Sequence, residues 1–217
     1  MAEPEPGGDC QLCPRLFEFR AANRAEWPDW YNAPVPSFGQ ADARLLVVGL
    51  APGLKGANRT GRPFTGDYAG DLLYSTLVAY GMARGRYEAR PDDGLTLIDA
   101  RITNAVRCVP PENKPTTGEI VVCRRFLEAT LAEMPRLEII VALGRIAHDS
   151  TIRALGARPT HHPFGHGAEH AIGGRAVFDS YHCSRYNTNT GRLTAAMFHA
   201  VFAAVRARLD RAGRPAA

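Results

Sequence analysis

The sequence predicts a single-domain α/β fold in which a largely parallel, four-stranded sheet carries helices on both faces. Three observations support this. Short apolar runs recur four times, helix-length stretches separate them, and the last such stretch keeps one apolar face to its end.

The elements follow in chain order. Leu45 to Val48 reads LLVV, uninterrupted by polar residues, as a strand buried on both faces should be. Asp71 to Met82 supplies the first crossover helix, Arg101 to Val106 the second strand, and Thr117 to Met134 the second crossover. Glu138 to Leu143, the helix Arg145 to Leu155, and the strand Ala176 to Tyr181 complete the alternation. Leu193, Met197, Val201, Val205 and Leu209 then step by four along one face of a closing helix. Ahead of the sheet, an N-terminal arm of about residues 1–43 contains Trp27-Pro28-Asp29-Trp30-Tyr31 and Pro34-Val35-Pro36, which read as packed irregular chain. Residues 213–217 read as a frayed end. With 217 residues and 45% hydrophobic content, the chain suffices for one sizeable core and is too short for two, so one domain is expected over 1–217.

A net charge of +4 permits nucleic-acid binding without demanding it, so the placement of the arginines matters more than their number. The chain shows no basic-then-apolar start and no apolar run near the roughly 20 residues that span a bilayer. A soluble, cytoplasmic protein is the expectation.

Ala51, Pro52, Asn104, Gly144 and His182 all fall at or just beyond the carboxyl ends of the expected strands, the edge where open α/β sheets place ligand crevices. The loop Gly49 to Asp67, GLAPGLKGANRTGRPFTGD, joins glycine turns to Lys55, Arg59, Arg62, Phe64 and Asp67. Backbone can approach a ligand there, arginine can meet phosphate, and Phe64 offers a stacking face. An ordinary surface loop is the plain alternative, and neither a Walker A end nor G-x-G-x-x-G is present. Cys10 and Cys13 form a C-x-x-C pair, while Cys108 and Cys123 lie far along the chain. Converging thiolates would suit zinc or an iron-sulfur cluster; disulfides and free buried thiols are the alternatives, the latter fitting Cys183 best.

GLAPG with RTGRPFTGD, then TNAVRCVPPENKP, then SYHCSRYNTNTGRLT, in this order and over nearly the whole chain, resemble the uracil-DNA glycosylase superfamily. Family 5, the type b enzymes, is the best match, with the iron-sulfur family 4 enzymes next. The resemblance implies a monomeric, nucleoid-associated, monofunctional DNA glycosylase of base excision repair. It would hydrolyse the N-glycosidic bond of uracil and other deaminated bases, hypoxanthine and xanthine among them. It further implies a 4Fe-4S cluster on Cys10, Cys13, Cys108 and Cys123, whose wide second spacing matches those families.

Such chemistry leaves positive charge on the sugar and negative charge on the departing base, so it needs an anion, donors to the base and a base outside the stack. By the resemblance, Gly49, Ala51, Phe64, Asn104 and His182 hold the base, with Asn104 and His182 also catalytic. Arg59, Arg62, Lys114, Ser184, Arg185, Tyr186, Asn189 and Arg192 would contact DNA. No lysine in the three motifs sits where Schiff-base attack would need it.

Two departures matter. Leu50 and Ala51 stand where many relatives carry a water-positioning acid or amide, a family 5 trait that leaves Asp67 as the nearest replacement, unless it caps the next helix or pairs with Arg62. Cys183 replaces the proline common after the histidine, which frees φ and restores an N–H donor. A family 4 enzyme is disfavoured by Leu50 where that family shows glutamate. A non-catalytic iron-sulfur protein that binds DNA is the alternative of another class.

Overall fold

The computed structural model describes residues 3–212, and the expected frayed end at 213–217 lies outside them. In chain order the elements are α1 (Pro14–Glu26), β1 (Phe38–Gly39), β2 (Leu45–Gly49), α2 (Ala57–Thr60), α3 (Tyr68–Ala79), β3 (Ala83–Arg84) and β4 (Thr96–Leu97). There follow β5 (Ala100–Asn104), α4 (Thr117–Ala132), β6 (Ile139–Leu143), α5 (Arg145–Ala154), β7 (Glu169–Ile172), β8 (Arg175–Ser180), α6 (Arg185–Asn189) and α7 (Ala195–Ala212).

The fold class is α/β, as the alternation requires, but the sheet has six strands rather than four, in the order β1-β5-β2-β6-β8-β7. The four expected strands are its parallel centre. The two additions are antiparallel edges. β1 is too short to leave a periodic signal. β7 carries no clear strand pattern because Glu169 and Ala171 face solvent, although Gly173-Gly174, both at positive φ, is the hairpin turn that joins it to β8. The N-terminal arm is not wholly irregular either: α1 starts on Pro14, a residue whose missing N–H costs a first helical turn nothing.

Apolar side chains alternate between the two faces of the central strands. Leu45, Val47, Ile102, Val141 and Phe178 pack with Leu73, Tyr74 and Leu77 of α3 and with Phe198, Val201, Phe202, Val205 and Leu209 of α7. Leu46, Val48, Ile140, Ala142 and Val177 meet Leu127 and Leu131 of α4 and Ala147 and Ile152 of α5 on the other face. All five residues of β2, β5 and β6 are buried, so their register is fixed from both sides and their carboxyl ends align. No helix among the described residues is long and apolar enough to cross a membrane.

Candidate active site

The aligned strand ends open into a cleft of about 1110 Å³ lined by Ala51, Gly53, Lys55, Phe64, Asp67, Asn104, Arg145, Phe164, His182 and Arg192, among others. Residues following β2, β5, β6 and β8 all contribute, which is the convergence expected from the strand order.

Gly49 and Asn104 are register partners at the ends of β2 and β5. A side chain at position 49 would collide with Asn104 Oδ1 and with the ring of Phe64, so glycine alone lets the amide and the aromatic meet there. Phe64 is buried and sits at φ +53°, a strained setting for a bulky residue. It is held by the Tyr87 hydroxyl, which donates to the Phe64 carbonyl at 3.0 Å, and by the Tyr74 hydroxyl, which donates to Pro63 at 2.6 Å. The ring of His182 stacks against Phe64 with centroids 5.7 Å apart. Burial, with no countering partner, lowers the His182 pKa to about 4, so the ring is neutral near pH 7 and offers one N–H. Asn187 fixes the backbone beside it by donating to the His182 carbonyl at 2.8 Å. Cys183, in place of proline, is buried and its thiol donates to the Ala69 carbonyl at 3.4 Å, tying the histidine segment to the start of α3.

Asp67 is the N-cap of α3: its Oδ1 accepts from the Ala69 N–H at 3.2 Å. The capping alternative is therefore realised, and the pairing with Arg62 is not. The other oxygen, Oδ2, lies against the turn of Gly53 and Gly56, 2.9 Å from where a side chain at Gly53 would begin. Burial raises the Asp67 pKa, opposed by the amides of Ala69 and Gly70.

Of the expected DNA contacts, Ser184, Arg185 and Arg192 line the cleft. Arg185 lies over the Tyr68 ring and Arg192 over Tyr181, at 5.3 and 4.6 Å. The segment read as a loop contains α6, capped by Ser184. Tyr186 stands out from it, 72% exposed. Arg59, Lys114, Tyr186 and Asn189 are exposed and outside the cleft lining among the described residues. Lys114 pairs with Glu112.

Arg62 is a correction. It is buried and forms a two-pronged pair with Asp93 at 2.8 and 2.7 Å, beneath the rings of Phe38, Tyr74 and Tyr87, so it cannot reach phosphate. The guanidinium bond pulls the Asp93 pKa down to about 2. Arg62→Ala is expected to destabilise the fold by about 3–5 kcal/mol by stranding that carboxylate. The salt dependence of DNA binding should be unchanged, where loss of a phosphate contact would lower its slope by about one. Denaturant unfolding and binding titrations across salt check both halves. Sequence reasoning missed Arg145, Phe164 and Tyr181. Arg145 lies two residues past a strand end and is findable on that ground, whereas nothing in HHPFGH marks Phe164 as a cleft residue.

Cys10, Cys13, Cys108 and Cys123 line one small cavity beside α1 and α4, and none is in a disulfide. Arg20 of α1 donates to the carbonyls of Gly8 and Cys10, and Arg15 clamps Glu119 of α4 at 2.8 and 2.7 Å, which brings the two halves together. Glu119 also closes a capping box with Thr116. Burial pushes Cys108 to about 12 and Cys123 to about 11, so as free thiols both stay protonated near pH 7. Ala51 packs against the cluster of Leu16, Val106, Cys108 and Cys123 and also lines the cleft.

Fold and site together define an α/β protein with a ligand crevice at the carboxyl edge of its sheet, built from an aromatic, an amide, a neutral imidazole and a basic rim. The sequence pattern of the Uracil DNA glycosylase superfamily matches residues 36–206. A type-5 uracil-DNA glycosylase of Thermus thermophilus is 48% identical over 197 residues, covering 87% of this chain and 89% of that protein. One from Pyrobaculum aerophilum is 41% identical over 190 residues, covering 86% and 83%. A type-4 uracil-DNA glycosylase of the same organism is 34% identical over 152 residues, covering 69% and 63%. The chain belongs to the uracil-DNA glycosylase superfamily, with the type-5 proteins as its relatives over most of its length.

Proposed function

We propose that this protein is a monofunctional uracil-DNA glycosylase of base excision repair that also releases other deaminated bases, hypoxanthine and xanthine among them. The observation that carries the reading is the meeting of Phe64, Asn104 and His182 at one end of the cleft, permitted by the bare backbone of Gly49.

An extruded uracil stacks on Phe64, and Asn104, with its paired donor and acceptor, reads the imide edge. The neutral His182 ring donates to the base oxygen on which negative charge gathers, a bond that strengthens only as the glycosidic bond breaks. Asp67, half-buried and ionisable, supplies the anion: it orients water or stabilises the cationic sugar where Leu50 and Ala51 have no polar side chain. Arg185 and Arg192, held over aromatic rings, meet the phosphates of the strand.

The four-cysteine cavity fits a 4Fe-4S cluster better than zinc. No three of the sulfurs lie within 4.8 Å of one another. A single zinc with bonds of about 2.3 Å would draw every pair to roughly 3.8 Å. Cys10, Cys13, Cys108 and Cys123 would hold the cluster in a structural role, joining the arm to the sheet.

Asp67→Asn removes the charge with little change of shape. It is expected to slow single-turnover uracil release by roughly 10²-fold. Full activity in that variant would remove Asp67 from the reaction. A panel of duplexes containing uracil, hypoxanthine or xanthine tests breadth, and rejection of both purines would confine the enzyme to uracil.

A further inference from the structure

The loop between α5 and β7 forms one wall of the cleft through Phe164 and Gly165. Several bonds stitch it to β8 and to Tyr181 just beyond, three of them close to Phe164. The Gly165 N–H donates to Asp179 Oδ2 at 3.2 Å, the Gly167 N–H to the Asp179 carbonyl at 2.8 Å, and the Tyr181 N–H to His166 Nδ1 at 3.1 Å. Beneath the loop, the side chains of His148 and Asp179 are both 0% exposed. His148 Nδ1 lies 2.7 Å from Asp179 Oδ1, and its Nε2 lies 2.8 Å from the His162 carbonyl oxygen.

A carbonyl oxygen only accepts, so Nε2 must carry a hydrogen. The carboxylate also takes bonds from His170 Nε2 at 3.0 Å and from the Gly165 N–H. Two groups besides His148 converge on Oδ2, the pattern of an ionised carboxylate, and we assign the hydrogen between Nδ1 and Oδ1 to the ring. Three of the ligand-type atoms here, from His148, His170 and Asp179, lie within 4.8 Å of one another, yet each is already engaged in these bonds.

We propose that His148 is a buried imidazolium which, paired with the Asp179 carboxylate, is a positioning residue for the cleft wall at Phe164 and, through β8, for His182. For its effect on catalysis the proposal rests on the glycosylase reading. His148 lies on α5 and touches neither base nor sugar; it acts by holding His162 and, through Asp179, Gly165. Phe164 packs edge-on to the His148 ring at 5.6 Å, so the wall residue is steadied from beneath as well as through its backbone.

The charged and titratable groups facing His148 are Asp179 from β8, His170 from β7 with its ring 5.3 Å away, and Asp149 from its own helix. Burial opposes the charge, but the bond and field of Asp179 with the His162 carbonyl outweigh it and hold the His148 pKa above the ordinary imidazole value. The fastening is therefore complete below about pH 6.5 and is lost as pH rises through the higher folded value.

Two measurements on the full chain test this. In long-range proton-nitrogen spectra of protein carrying ¹⁵N-labelled histidine, assigned with His148→Gln, both ring nitrogens of His148 should be protonated near pH 7. A ring protonated on one nitrogen would overturn the proposal, and since the spectrum needs only the native protein, it decides even if the variant does not fold. Under single-turnover conditions, native activity should fall on the alkaline side, while His148→Gln should be roughly 10-fold slower with that limb absent and DNA affinity unchanged. A variant that lost only thermal stability and kept the native pH profile would overturn the positioning role. Native protein inactive on uracil would instead count against the glycosylase reading, leaving the spectrum to judge the pair.

Discussion

Alanine at Asn104 or at His182 will slow single-turnover release of uracil by roughly 10²–10³-fold, with the fold and the affinity for DNA preserved. The expectation follows from where the two side chains sit. Asn104 ends β5 and His182 follows β8, so neither anchors a hydrophobic cluster, and both line the cleft. His182 is neutral because burial alone sets its pKa at about 4, and a neutral donor gains strength as the base becomes an anion. On the proposed role, removing it costs a bond made in the transition state and little in the ground state, so the chemical step should drop while binding persists. Circular dichroism and binding titrations establish that both variants are intact. Unchanged rates in both would place the chemistry elsewhere in the cleft.

Serine at Cys108 or Cys123 should abolish the colour and iron of anaerobically purified protein, which otherwise carries about four irons per chain. The link from Cys13 to Cys108 closes a loop of nearly a hundred residues, and constraining such a loop is worth about 4 kcal/mol. A fall in Tm of roughly 10 °C is expected for a chain of this size. Excision at a temperature where the variant stays folded should remain within a few-fold of native, because Ala51, which packs against the cluster containing Cys108 and Cys123 and also lines the cleft, presents only a methyl group. Stoichiometric zinc with no iron would sink the assignment. So would loss of activity without loss of stability.

The parts of the site legible in the sequence are those fixed by local order. Asn104 and His182 follow apolar strands, and strand ends are where chain direction alone puts residues at the crevice. The four cysteines were recoverable from their spacing and likeness to relatives. What stayed hidden depends on partners distant in sequence. Arg62 looks like a phosphate contact until Asp93, in the segment before β4, claims its guanidinium. Asp67 reads as either cap or catalyst because the same carboxylate offers one oxygen to Ala69 and leaves the other at the glycine turn. β7 reads as loop because half its side chains face water. Phe164 lies in a segment with no periodicity, placed at the cleft by bonds to Asp179 and Tyr181 that no spacing rule announces.

The pairing of Gly49 with Asn104 gives the cleft two unequal walls. On the sheet side any added atom strikes Asn104 or Phe64, and both strands behind it are locked in register, so that wall has no room to vary. The wall at Phe164 and Gly165 belongs to an irregular segment whose length is fixed by its bonds to Asp179, but the side chain at position 164 can change without altering strand register. Changes in which bases this scaffold admits should therefore accumulate in that loop, and selection of variants for a new lesion has its tractable positions there rather than at the glycine.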